Sequence, residues 1–155
     1  MPNILFVCTA NICRSPVAEA LFADWLRRRA VPGDWQVSSA GTWADDGYPA
    51  AQHSRDILAE QGLDLSLHRA RRVDVGMLAQ ADLVLCLTNA HREALQAEFP
   101  QFASRLALLS AMAGVAYDIA DPYGGPRSGY AAMVAELRDL IERGGDRIVA
   151  AAAGK

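Results

Sequence analysis

A cysteine and an arginine with five residues between them, set where a strand gives way to a helix, constrain this chain more than any other feature. Ile4-Leu5-Phe6-Val7 is a short apolar run that reads as a buried strand. Pro16-Val17-Ala18-Glu19-Ala20-Leu21-Phe22 reads as the start of a helix. Pro16 suits the first turn, where a missing N–H costs nothing, and Ser15 is a natural N-cap. Between them lies Cys8-Thr9-Ala10-Asn11-Ile12-Cys13-Arg14-Ser15. A loop wrapped at a helix N-terminus turns backbone N–H groups inward and makes a nest for a tetrahedral oxyanion. Arg14 can add a bidentate fork to two of its oxygens. Cys8, at the bottom of the cup, would feel the same positive field, which favours thiolate over thiol. Ser15 can hydrogen-bond the sulfur when it leaves. Singly, Cys8 would be a small buried apolar residue and Arg14 a solvated one. At this spacing they describe a nucleophile beneath a bound phosphate.

The 155 residues suit one domain with one core, 52% of them hydrophobic and 21% charged, and Ala150 to Lys155 is expected to fray. A net charge of −3 argues against nucleic acid as a partner. No apolar run is long enough to span a bilayer, and Met1-Pro2-Asn3 opens directly on a strand, so a cytoplasmic location away from membranes is expected. Three cysteines without a secretory signal point to reduced thiols rather than a disulfide framework. His53, His68 and His91 lack metal-ligand spacing with the cysteines, so neither a metal nor another cofactor is expected.

Strands and helices alternate along the chain. The first helix continues to Arg29, and Pro32-Gly33-Asp34 is a turn. Trp35 to Ala40 is a second strand. A helix from Ala50 to Gln61 ends at Gly62, and a short one spans Asp74 to Gln80. Ala81 to Leu87 is the third strand, and Asn89 to Phe99 a helix capped by Thr88 or Asn89. Leu106 to Leu109 is the fourth strand, and a last helix runs from about Gly129 to Ala150. This order implies an α/β three-layer sandwich, a four-stranded parallel sheet covered by helices on both faces, with the phosphate loop after the first strand.

The loop resembles that of the low-molecular-weight protein tyrosine phosphatases, Cys-x5-Arg-Ser with Asn at the fourth position, matched by Cys8, Asn11, Arg14 and Ser15. Ala10 stands where the family commonly has glycine. Ser39-Ala40-Gly41-Thr42, the Leu63 to Arg71 segment and Asp121-Pro122-Tyr123 resemble further family patterns. The resemblance implies that Cys8 is the nucleophile and Arg14 the phosphate clamp. Asp121 would protonate the leaving oxygen and then serve as base for water, an effect worth about 10²–10⁴-fold. Asp118 is the competing acid, but Asp121 is the one in Asp-Pro-Tyr. Thr9, Ala10, Asn11, Ile12, Cys13 and Ser15 would surround the phosphate, and Tyr123 would stack on an aromatic ring. Trp43 is either a pocket wall or an aromatic tucked against the core. Asn11, Ser39 and His68 would form a network bracing the loop. Cys13 either packs as an apolar residue or forms a reversible disulfide with Cys8 under peroxide.

The resemblance implies metal-free hydrolysis of phosphotyrosine through a phosphocysteine. Partners would be phosphotyrosine-containing proteins, with a tyrosine kinase as a further candidate and inorganic phosphate as product and inhibitor. Thioredoxin-coupled arsenate reductases share the loop but relay a disulfide through cysteines seven apart, whereas Cys86 has Ala79 and Glu93 at that spacing. Arginine phosphatases of the family carry threonine where Ile12 stands. A silent phosphopeptide-binding module would not need Cys8, Arg14 and Asp121 together. A Rossmann-type nucleotide binder would show Gly-x-Gly-x-x-Gly after the first strand, and none is present.

Overall fold

A computed structural model describes residues 1–154. Strand β1 (Asn3–Cys8) leads into helix α1 (Arg14–Arg28), followed by β2 (Gln36–Gly41), α2 (Gln52–Glu60), α3 (Val75–Gln80) and β3 (Leu83–Cys86). Then come α4 (Asn89–Glu98), a 3₁₀ turn over Pro100–Arg105, β4 (Leu106–Leu108), α5 (Leu109–Met112) and α6 (Arg127–Ala153). The four strands form one parallel sheet in the order β2-β1-β3-β4. β1 is therefore central, and its C-terminal end emerges between the ends of β2 and β3. Ligand sites in open parallel sheets lie beyond the carboxyl ends of the strands, and the loop after β1 occupies that place here.

Both faces of the sheet are buried, and the alternation along each strand divides the core in two. Ile4, Phe6 and Cys8 of β1 and Leu83 and Leu85 of β3 join Val17, Leu21, Phe22 and Trp25 of α1 and Leu137 and Ile141 of α6. Leu5, Val7, Val84 and Cys86 point the other way, onto Leu78 and Leu95 from α3 and α4. A strand wrapped on both faces needs an unbroken apolar run rather than an alternating one, and Ile4 to Val7 supplies it. Phe22 of α1 meets Phe6 of β1 edge to face with ring centroids 5.9 Å apart, which ties α1 to the sheet.

The structure corrects several boundaries. Ser15 is not the N-cap of α1: the helix begins at Arg14, Cys13 holds the cap position, and the Ser15 hydroxyl is committed elsewhere. Thr88 caps α4 by accepting from the His91 amide, and the His91 side chain in turn accepts from the Thr88 amide. Leu109 leaves the fourth strand to open α5, and a 3₁₀ turn over Pro100–Arg105 precedes that strand. The last helix also extends past the Ala150 end expected from the sequence. Helix α6 runs on to Ala153 because Ile141, Ile148 and Ala152 continue one buried stripe against the core, with Ala152 only 4% exposed. Lys155 lies outside the described residues.

Candidate active site

Between β1 and α1 the chain makes its turn at Asn11, which sits in the left-handed region with φ of 60°. Asparagine tolerates that conformation better than most residues, because its short amide can bond locally. Ala10 does not have positive φ, so alanine in place of glycine carries no backbone strain there. None of the backbone N–H groups from Thr9 to Cys13 donates to a backbone acceptor among the described residues. Those donors belong to a loop at the N-terminus of a fifteen-residue helix, where the macrodipole is also positive.

Gly41 holds β2 against this loop. A Cβ on Gly41 would lie 2.3 Å from the Thr9 carbonyl oxygen and 2.9 Å from Ala44 Cβ, so only glycine lets the strands approach. From there the chain runs alongside the loop, with Thr42 N donating to Cys8 O and Trp43 N to Thr9 O, each at 2.9 Å.

Asn11, fully buried, is the hub of a chain of hydrogen bonds ending on Cys8. Its Nδ2 donates to Ser15 Oγ at 2.8 Å and to Ser39 Oγ at 2.9 Å. Its Oδ1 accepts from Arg71 N at 3.0 Å, and its carbonyl lies 2.7 Å from His68 Nε2. Ser39 Oγ in turn donates to Glu19 Oε1 at 2.7 Å. Burial pushes the Glu19 carboxyl above its usual range, opposed by the Ser39 hydrogen bond and the charges of His68 and Arg71. Ser15 Oγ lies 2.9 Å from Cys8 Sγ. The Ser15 hydroxyl accepts from the Asn11 amide and keeps a proton to give, so towards a Cys8 thiolate, which can only accept, it would be the donor.

Arg14, only 4% exposed, is held from the opposite side. Its Nη1 donates to Ile119 O at 2.8 Å, and its Nη2 lies 3.4 Å from Asp121 Oδ2 and 3.4 Å from Thr9 Oγ1. Its buried Nε has no hydrogen-bond partner among the described residues. Asp121 is half-exposed at the rim, and its Oδ1 accepts from the Tyr123 amide at 3.1 Å. Asp118 is directed away, accepting from the amide of Asn89 at 2.7 Å, and does not line the cavity. The residue at the rim is therefore Asp121.

The cavity of about 400 Å³ above Cys8 is lined by Thr9, Ala10, Ile12, Cys13 and Arg14 below and by Trp43, Tyr123 and Asp121 around the mouth. Asp45 and Tyr48 also line it, and neither was singled out from the sequence, where both fall in an unpatterned loop. Trp43 is 75% exposed and packs over the guanidinium of Arg72 at 4.6 Å, so it is a wall and not a core aromatic. Asn11 and Ser15 do not line the cavity; they lie behind it. Cys13 faces the cavity, is buried, and donates to Tyr130 Oη at 3.6 Å. Burial above all raises its thiol to about 11. Cys8, Cys13 and Cys86 are all free thiols.

The model of the low molecular weight phosphotyrosine protein phosphatase family matches residues 3–150. A protein-arginine-phosphatase of Geobacillus stearothermophilus is 38% identical, over 91% of this chain and 92% of its own. A probable low molecular weight protein-tyrosine-phosphatase, EpsP, of Ralstonia nicotianae is 36% identical, over 93% and 91%. The crystal structure of a low molecular weight protein tyrosine phosphatase from T. tengcongensis superposes with a TM-score of 0.86 at 35% identity, covering 92% of this chain and 97% of that one. The chain therefore belongs to the low molecular weight protein tyrosine phosphatase family and is a phosphatase, one of its hydrolases.

Proposed function

We propose that the chain hydrolyses phosphotyrosine in proteins, without a metal, in two displacements at phosphorus. The observation that carries this reading is the pairing of Cys8 Sγ, 2.9 Å from Ser15 Oγ, with a buried Arg14 whose Nε has no hydrogen-bond partner among the described residues. In the first step the Cys8 thiolate attacks in line, the S–P bond forms and the bond from phosphorus to the phenolic oxygen breaks. The loop amides and Arg14 hold the equatorial oxygens through both steps. Asp121, at the mouth on the leaving-group side, gives its proton to the phenolate. In the second step water attacks phosphorus and surrenders a proton to Asp121, and the S–P bond breaks. The thiolate leaves towards the Ser15 hydroxyl.

The aryl group would lie between Trp43 and Tyr123, with Ile12 apolar beneath it. A second reading, phosphoarginine, is favoured by the Geobacillus relative's name and by the likeness to solved arginine phosphatase structures such as that of the Geobacillus enzyme, at TM-score 0.86. Against it stands Ile12, which offers a branched apolar surface and no hydroxyl. Paired peptides differing only in phosphotyrosine or phosphoarginine decide between the two. A kcat/KM at least tenfold higher for the tyrosine peptide is expected, and the reverse order would overturn the tyrosine reading. Both readings place the enzyme among phosphoproteins, with inorganic phosphate as product and competitive inhibitor.

A further inference from the structure

His91 stands 82 residues from Thr9 in sequence, yet its Nε2 lies 2.8 Å from Thr9 Oγ1, because the C-terminal ends of β1 and β3 are neighbours in the sheet. The other ring nitrogen fixes the tautomer. His91 Nδ1 is 3.1 Å from the Thr88 amide, an N–H that has no lone pair to offer, so Nδ1 must accept and the proton resides on Nε2. The Thr88 hydroxyl, 3.1 Å from the same Nδ1, is compatible with that assignment. Burial above all, reinforced by the charge of Arg14 and opposed by Asp118 and Asp121, pushes His91 down to about 4, so the ring is neutral at ordinary pH.

Thr9 Oγ1 accordingly receives Nε2–H from His91 and, at 3.4 Å, a second N–H from Arg14 Nη2. A hydroxyl has two lone pairs and one proton. With both lone pairs facing protein donors, the proton is the one valence left to Thr9, and Thr9 lines the cavity over Cys8 while His91 does not. We propose that Thr9 is a phosphoryl-binding hydroxyl donor and that His91 is the positioning residue that aims its proton into the cup. The inference rests on the phosphate-cup reading above. It adds a donor from the β1 side, opposite the amides of the α1 N-terminus, and ties it to Arg14 through a shared oxygen.

The test is a double-mutant cycle on Thr9→Val and His91→Asn, read both as kcat/KM for p-nitrophenyl phosphate and as the Kd of inorganic phosphate. Asparagine places Oδ1 where histidine has Nδ1, so it keeps the bond from the Thr88 amide but has nothing at the Nε2 position. Each single substitution is expected to lower kcat/KM and weaken phosphate binding about tenfold, the loss of one hydrogen bond to a charged group. His91→Asn is expected to cost less than about twofold more once Thr9 is valine. Thr9→Ser is expected to restore most of both values. Losses that multiply independently, or a His91→Asn enzyme equal to wild type, overturn the relay, since a histidine serving only to cap α4 would act alike in both backgrounds. If wild type binds phosphate but turns nothing over, the hydrolysis reading fails alone and the phosphate cycle still decides the relay. If wild type binds no phosphate, the relay is overturned as well.

Discussion

Asn11 Nδ2 donates to Ser15 Oγ at 2.8 Å, and the same Ser15 Oγ lies 2.9 Å from Cys8 Sγ. The same asparagine is the residue at which the backbone reverses, with φ of 60°. The conformation that shapes the cup and the polarity that serves its nucleophile therefore depend on one side chain. Asn11→Ala should cost about 2–4 kcal/mol of stability, from unpaired buried Ser39 and Arg71 groups and from a Cβ residue in the left-handed region without its amide. Urea denaturation checks it.

Ser15→Ala separates chemistry from stability. The variant keeps the Asn11 conformation but removes the hydrogen bond to the leaving thiolate. It should lower kcat about 10- to 100-fold. The deficit should fall on the second displacement, so that rapid-quench kinetics with p-nitrophenyl phosphate show a burst of p-nitrophenol followed by a steady state slower than that of wild type.

At Gly41 the close approach of β2 to the loop leaves no room for a methyl group, because the colliding atom is the Thr9 backbone carbonyl rather than a flexible side chain. Gly41→Ala should destabilise the fold by about 1–3 kcal/mol. It should also lower kcat/KM, since the displaced carbonyl belongs to the cup itself. Thermal unfolding and p-nitrophenyl phosphate kinetics on the same preparation read both effects.

His91 makes stability depend on pH in a definite sense. Its native value is pushed from 6.5 to about 4, so between those limits the unfolded chain binds a proton that the native chain refuses. Stability should therefore fall as pH drops from about 6.5 to about 4 and draw no further loss from this group below that. The total is at most about 3 kcal/mol. The stability difference between wild type and His91→Asn, measured by urea denaturation across that range, isolates the contribution from other groups.

How much of this was legible in the sequence follows from how contact distance maps onto chain distance. The cup was legible because Cys8, Asn11, Arg14 and Ser15 are contiguous, and the parallel sheet was legible because Ile4–Val7 and Leu83–Cys86 are uninterrupted apolar runs. Asp121 was reached through family resemblance, and the structure places it 3.4 Å from Arg14 across the rim. His91 stood in the sequence only as a histidine without metal-ligand spacing. Its reach to Thr9 follows from β1 lying beside β3, which no local pattern encodes. Glu19 looked like an ordinary helix residue, yet it ends the chain of bonds through Ser39. Ser15 was misassigned as a cap because its usual preference for that position was overridden by a buried partner on each side. The alanine-rich end of α6 concealed a helix for a similar reason: packing of Ile148 and Ala152 holds it, not composition.

The central claim is that Cys8 attacks phosphorus and Asp121 handles the leaving-group proton. Hydrolysis of p-nitrophenyl phosphate in excess EDTA, comparing wild type, Cys8→Ser and Asp121→Asn, tests it most directly. Turnover by wild type that is abolished in Cys8→Ser and lowered about 10²–10⁴-fold in Asp121→Asn is the predicted result. No turnover by the reduced wild-type protein, or turnover that survives in Cys8→Ser, would contradict it.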